Sequence, residues 1–101
     1  NDLGPEDPFD PAKREKLGVL KRGSFYNQAG RREVTVYQQM IGGGRQAAER
    51  FFHRRTGVRP NATRVTTDRA VVRITIRTDS RGGSTVEIFN RVAATIDKLR
   101  F

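Results

Sequence analysis

The chain has 101 residues, enough for one domain and too few for two independent ones. Lysine and arginine number 20 against 11 acidic residues, so the net charge is +9 and a polyanion such as nucleic acid is the expected partner. There is no cysteine, which excludes disulfides, thiolate zinc sites and cysteine nucleophiles, and no apolar run approaches the roughly 18 residues of a membrane span.

The first 22 residues have the composition of a linker or an extended N-terminal segment, and residues 23–101 that of a single basic domain. Residues 1–15 contain three of the four prolines and five acids but only two bases, too little apolar surface to order by itself. Residues 16–101 therefore keep 18 bases and 6 acids. The apolar residues of the segment that could dock on the domain are Phe9, Leu17, Val19 and Leu20.

The first predicted elements are a hairpin and a helix. Alternating apolar and polar residues at 33–37 indicate a strand, preceded by a strand at 24–26 and a turn at 27–30, although residues 31–41 also fit a helix. After three consecutive glycines, residues 45–56 are predicted to form a helix, because good helix formers are followed by Gly57 in the C-cap position.

A sheet follows the helix. Residues 64–66, 71–77 and 85–89 have an apolar period of two, which predicts three strands. Residues 95–101 have two interpretations, since the apolar spacing from Val92 fits a helix, whereas a strand would pair back on residues 85–89. We favour the strand, because a helix would leave the sheet with few strands. The predicted fold is α+β, with one main helix packed on a small antiparallel sheet of about four strands.

Arginine dominates the basic residues. Sixteen of the 20 bases are arginine, whose planar guanidinium binds phosphate through two bonds and stacks on bases. A GC-rich genome would also favour arginine over lysine, but it does not explain the net charge. Arg73 and Arg77 share a strand face with Thr75, roughly 13 Å apart, a row that fits a phosphate backbone and also an ordinary solvated sheet face. The arginines predicted to bind nucleic acid are Arg45, Arg54, Arg55, Arg73, Arg77 and Arg81.

The predicted catalytic residues are His53, Glu49 and Thr75. His53 is the only histidine, and histidine titrates near neutral pH without perturbation, so it is the first candidate for a general acid or base. Glu49 lies one helical turn earlier, where its carboxylate could orient the ring. A structural or merely exposed histidine is the competing interpretation. The other hydroxyls that could serve in place of Thr75 are Tyr26, Tyr37, Thr66, Thr67, Ser84 and Thr85.

Neither a metal nor a cofactor is expected. The six acids of residues 16–101 are spread singly along the chain, and the same residues contain one histidine. The glycines at 42–44 could expose amides to a phosphate at a helix start, but the chain lacks the Lys-Ser or Lys-Thr of a P-loop. A flexible joint is the preferred interpretation of these glycines.

Four phrases carry a resemblance to a known class. They are Ala-x-x-Phe-Phe-x-x-x-Thr-Gly at residues 48–57, Val-Arg-Ile-Thr-Ile-Arg at 72–77, Arg-Gly-Gly-Ser-Thr-Val-Glu-Ile at 81–88 and Ile-Asp-Lys-Leu-Arg-Phe at 96–101. In this layout, residues 45–101 resemble the C-terminal toxin domains of bacterial polymorphic toxins, the contact-dependent-inhibition and Rhs type effectors. The resemblance implies a metal-independent ribonuclease of the barnase, colicin and RelE-like fold, with an arginine- and hydroxyl-lined sheet face as its active surface. It also implies an acidic immunity protein and delivery from a producing bacterium into the cytoplasm of a target cell.

The leading hypothesis is therefore a toxin domain that cleaves RNA, with tRNA among the candidate substrates, by general acid–base chemistry. His53 would act as acid or base, while Arg73, Arg77 and Arg54 or Arg55 would hold phosphate. The alternative is a non-enzymatic nucleic-acid-binding module, which predicts salt-dependent binding and no product. A structural protein that sets its basic face against an acidic partner is the third hypothesis.

Overall fold

The computed structural model describes residues 7–22 and 32–101. In this part of the chain the elements are a 3-10 turn (Pro11–Lys13), β1 (Glu15–Arg22), β2 (Arg32–Met40), α1 (Gly44–Thr56), β3 (Arg64–Arg69), β4 (Val72–Thr78), β5 (Ser84–Asn90) and β6 (Thr95–Arg100). The six strands form one sheet in the order β1-β2-β6-β5-β4-β3. Neighbouring strands are antiparallel except β2 and β6, which run parallel.

The prediction of an antiparallel sheet of about four strands is wrong, because the described residues form six strands in a mixed sheet. Residues 15–22, which fall in the predicted linker or extended segment, form the edge strand β1. Among the described residues this strand has one neighbour, and its register with that neighbour is irregular between Lys16 and Gly18. Its apolar residues Leu17 and Val19 therefore remain 48% and 46% exposed, and the sequence shows no buried alternation there.

Other predicted strands are confirmed. The strand at 33–37 lies within β2, so the helical alternative for that region is wrong. The C-terminal hairpin also forms, because β6 pairs with β5 in antiparallel register and Thr85 lies opposite Arg100. The strand predicted at 24–26 and the turn at 27–30 lie outside the described residues.

Helix α1 is bounded by glycines at positions where the backbone of any other residue would be strained. Gly57 ends the helix with φ 75°, and its N–H donates to the His53 carbonyl at 2.8 Å. Gly43 precedes the helix with φ 95°, and a Cβ built there would lie 2.7 Å from the Ala47 Cβ. These two glycines therefore mark the ends of α1.

Helix α1 packs on β4 and β5 and covers one face of the sheet. Its apolar residues Ala48, Phe51 and Phe52 are at most 4% exposed. They recur at the three- and four-residue spacing that places side chains on one side of a helix. The strand residues of this core are Ile74, Ile76, Val86, Ile88 and Leu99. We call the opposite side of the sheet the distal face; one end of it carries a smaller buried cluster of Val34, Val36, Phe89 and Ile96.

The N-terminal segment of residues 7–14 lies on the same side of the sheet as α1. Phe9 packs against the core there, and the Asp10 amide donates to the Gln39 side chain at 3.2 Å. Arg14 then reaches the carboxylate of Asp97 on β6 at 3.3 Å. This segment and α1 therefore lie on the same face of the sheet, and neither of them covers the distal face.

Candidate nucleic-acid interface

The charges of strands β3–β6 are concentrated on the distal face. Residues that lie directly opposite one another in a strand register project from the same side of a sheet. By this rule the distal face of these four strands carries five bases and two acids, namely Arg64, Arg73, Arg77, Lys98 and Arg100 with Asp68 and Glu87. The helix-covered face of the same strands carries one base and one acid, namely Arg69 and Asp97.

A cavity of about 340 Å³ lies on the distal face across β3, β4 and β5. Its lining residues are Arg64, Thr66, Asp68, Arg73, Thr75, Glu87 and Phe89. All of them are strand residues, so hydrogen-bonded ladders hold their backbone, on both sides for β4 and β5 and on the β4 side for β3. The cavity therefore combines carboxylates, guanidinium groups and hydroxyls on a rigid support.

Glu87 occupies the centre of the charged surface. Its Oε2 accepts a hydrogen bond from Arg77 Nη1 at 3.1 Å, and its side chain is 20% exposed. In the registers it lies opposite Thr75 on one side and Lys98 on the other. A partly exposed carboxylate beside a bound hydroxyl is a group that can accept a proton in general-base catalysis.

Hydroxyls and a second ion pair complete the cavity. The Thr66 and Thr75 Oγ1 atoms are 2.9 Å apart and share a hydrogen bond. Arg73 Nε donates to Asp68 Oδ1 at 2.8 Å. That hydrogen bond, reinforced by the positive charges of Arg73 and Arg91, lowers the pKa of Asp68 below its ordinary value against a smaller opposing effect of burial. The positive charge of Arg73 is therefore engaged in an ion pair with Asp68.

Two arginines face each other at one end of the cavity. Arg64 on β3 and Arg77 on β4 are direct partners in the antiparallel register. Like charges in this arrangement repel and weaken the strand pair. An anion bound between the two guanidinium groups would remove the repulsion, so this end of the cavity fits a phosphate.

Arg64→Gln is expected to raise the melting temperature slightly, because it removes the repulsion, and to weaken RNA binding. The slope of log affinity against log salt concentration should become shallower by about one, as for loss of one phosphate contact. Thermal unfolding and binding titrations over a salt series measure both effects. The matched control is Arg59→Gln, at an exposed arginine beyond α1. Equal losses of affinity would indicate that net charge alone governs binding.

The structure separates the predicted catalytic residues. Thr75, Arg73 and Arg77 lie together on the distal face, whereas His53 and Glu49 belong to α1 on the opposite side of the sheet. The Glu49 carboxylate accepts a hydrogen bond from Arg45 Nε at 3.1 Å, so the carboxylate expected to orient His53 is engaged elsewhere. The sheet thus lies between the two halves of the predicted catalytic set.

The remaining predicted arginines also lie away from the cavity. Arg45 and Arg54 belong to α1. Arg55, on the same helix, forms an ion pair with Asp7 and lies over the Phe51 ring at 5.1 Å. Arg81 lies in the exposed turn between β4 and β5, where its backbone N–H donates to Asp79. Of the six, only Arg73 lines the cavity, and Arg77 lies beside it through its ion pair with Glu87.

Sequence reasoning missed Glu87, Arg64, Lys98 and Arg100. A signal for Glu87 was present, since Val86 and Ile88 on either side of it are apolar and the period of two places it on the polar face. The other three required the strand order and the registers, because each comes from a different strand or strand end.

The described residues contain neither a metal-ligand cluster nor a membrane-spanning helix. No three histidine, aspartate or glutamate side chains among them are placed to hold a metal ion together. The one α-helix in this part of the chain lacks the length and apolarity needed to cross a bilayer.

Comparison of the chain with known protein families, with curated proteins and with solved structures finds no match. The resemblance of residues 45–101 to polymorphic-toxin domains therefore stays a prediction.

Proposed function

We propose that this chain is a metal-independent ribonuclease of the toxin class that residues 45–101 resemble, with the distal face as its active surface. The observation that supports this most directly is Glu87, a partly exposed carboxylate beside Arg77 in a cavity lined by arginines and hydroxyls. RNA cleavage without a metal needs a base near the 2′-hydroxyl and cations near the phosphate. The cavity contains both kinds of group.

In the proposed reaction, the Glu87 carboxylate removes the proton of a 2′-hydroxyl. The 2′-oxygen then attacks the adjacent phosphorus, and the bond from phosphorus to the 5′-oxygen breaks, which leaves a 2′,3′-cyclic phosphate. Arg64 and Arg77 hold the phosphate and stabilise the charge that develops on it. Lys98, opposite Glu87 in the β5–β6 register, is the candidate donor of a proton to the departing 5′-oxygen. Glu87 therefore replaces His53 as the proposed base.

The proposal extends to partners. RNA, with tRNA among the candidates, would be the substrate. An acidic immunity protein would be attracted to the distal face, because strands β3–β6 present five bases and two acids there. Delivery from a producing bacterium into the cytoplasm of a target cell belongs to the same proposal. It depends on the resemblance, since the cavity carries no information about delivery.

The test is incubation of the purified chain with total RNA and with plasmid DNA, each with and without EDTA. RNA fragments ending in 2′,3′-cyclic phosphate are expected in both RNA reactions, and DNA should stay intact because it lacks the 2′-hydroxyl. Abolition of cleavage by EDTA would contradict the metal-independent mechanism. Intact RNA that shifts in a gel, with the shift lost at high salt, would instead support a nucleic-acid-binding module.

A further inference from the structure

We propose a second nucleotide-binding subsite on the distal face, formed across β6 and β2 by Arg100, Gln38 and Met40. This inference rests on the proposed function and specifies its substrate: a single-stranded RNA segment that crosses the strands from the Glu87 cavity toward β2. A base would stack on Met40, and its phosphate would meet Arg100.

Met40 is the first observation. It is 72% exposed, the most exposed of the large apolar residues described. It lies beside Arg100 in the parallel β2–β6 register, and Arg100 lies opposite Thr85 on the distal face. An unbranched thioether makes favourable contacts with aromatic rings, so an exposed methionine beside a cation suits a nucleobase attached to a phosphate.

A cavity of about 300 Å³ beside Met40 is the second observation. It lies at one end of β1 and β2, where Glu15, Gln38 and Met40 line it from the distal side and Lys13 and Gln39 from the side of α1. Gln38 is held in place from both sides, because it accepts from Arg100 Nε at 3.1 Å and donates to Glu15 Oε1 at 2.7 Å. The bond to Gln38 uses one of the five N–H donors of the Arg100 guanidinium. The group therefore retains N–H donors that could form hydrogen bonds to a phosphate.

The alignment of the two cavities is the third observation. Five neighbouring strands each contribute one residue to a row of successive register partners, in the order Arg64, Arg77, Thr85, Arg100 and Met40. From β4 to β2 the row spans three strand spacings, about 14 Å. That is about four nucleotides at the stacked spacing of roughly 3.4 Å, and fewer in an extended strand. Charge favours a nucleic-acid occupant, since β3–β6 present five bases and two acids on this face.

The test compares two substrates that each contain one cleavable phosphodiester and differ only in length: a dinucleotide of one ribonucleotide followed by one deoxynucleotide, and a hexanucleotide with a single ribonucleotide in the middle of a DNA strand. Met40→Ala and Arg100→Gln are each expected to lower kcat/KM on the hexanucleotide, by up to about ten-fold for loss of the thioether–base contact of Met40. Met40→Ala should leave kcat/KM on the dinucleotide unchanged, because Met40 does not line the Glu87 cavity. The control is Val92→Ala, at a comparably exposed valine in the β5–β6 turn, and it should change neither value.

Equal losses on both substrates in Met40→Ala would show that Met40 acts through the Glu87 cavity and would overturn the second subsite. Unchanged cleavage of the hexanucleotide would overturn it as well. If the unmodified chain cleaves neither substrate, the proposed function has failed, and the affinity of a fluorescent hexanucleotide becomes the readout. Weaker binding by the Met40 variant, but not by the Val92 variant, would then support the subsite without catalysis, and equal binding by both would reject it.

Discussion

Replacing Glu87 by glutamine is expected to lower the rate of RNA cleavage by about two to four orders of magnitude, the usual contribution of a general base. Glutamine has the shape of glutamate and keeps an oxygen that accepts from Arg77, so the cavity should keep its geometry. It does not take up the 2′-hydroxyl proton as a carboxylate does. Single-turnover cleavage of an oligonucleotide measures the effect, and a binding titration with an uncleavable 2′-deoxy analogue should show nearly unchanged affinity.

The matched controls for this experiment are on the other side of the sheet. Glu49→Gln makes the same chemical change on α1, and His53→Ala removes the only histidine. Both variants should cleave RNA at the rate of the unmodified chain. A large loss of cleavage in His53→Ala with full activity in Glu87→Gln would refute the assignment of Glu87 and restore His53 as the acid or base.

Arg14→Ala is expected to lower the free energy of unfolding by about 2–4 kcal/mol, because it leaves the buried carboxylate of Asp97 without its cation. The Asp97 side chain is 8% exposed and that of Arg14 is 28% exposed. The partial exposure of Arg14 places the expected cost toward the lower part of the range for buried pairs. The variant also loses the contact of the guanidinium with the Tyr37 ring, 3.9 Å from its centroid. Urea unfolding measures the loss.

Asp97→Asn is expected to lower the free energy of unfolding much less than Arg14→Ala does. The double variant Arg14→Ala/Asp97→Asn should recover most of the stability that Arg14→Ala loses. Burial raises the pKa of Asp97 above its ordinary value even though Arg14 acts in the opposite direction. The charged form is therefore disfavoured in the folded chain, and removing the charge removes that penalty. If Asp97→Asn destabilises the chain as much as Arg14→Ala does, the ion pair is a net source of stability and this account is wrong.

The pH dependence of the same pair has a defined sign. Because the pKa of Asp97 is higher in the folded chain than the ordinary 3.8, the folded chain holds more protons between these two pKa values. The stability of the unmodified chain relative to Asp97→Asn should therefore rise as pH falls through that interval. Unfolding of both proteins over a pH series measures this difference and cancels the contributions of the other carboxylates.

Local pattern was sufficient for part of the fold. The run of helix formers between glycines predicted α1 to within one residue at its start, because helix ends depend on nearby residues. The alternation at residues 72–77 predicted β4 for the same reason. Strand β1 and the parallel pairing of β2 with β6 were missed, because an irregular edge strand has no clean alternation and the pairing depends on residues far apart in the chain.

The site shows the same division between local and distant information. Arg73, Thr75 and Arg77 share a face by their spacing alone, and the structure keeps them together. The assignment of His53 used residue chemistry without knowledge of which sheet face α1 covers. Glu87 enters the site through its register with Thr75 and Lys98, which no spacing within a single strand encodes.

The position of β6 affects the order in which the sheet can assemble. Strands β1 and β2 form one antiparallel hairpin, and β3, β4 and β5 form a separate antiparallel meander. Among the described strands only β6 pairs with both groups, although it follows the other five in sequence. A ribosome that has synthesised β1–β5 has made two sheet fragments that share no ladder, and contacts over such sequence separations form slowly. The distal face, with Lys98 and Arg100 on β6 itself, therefore becomes complete only at the end of folding.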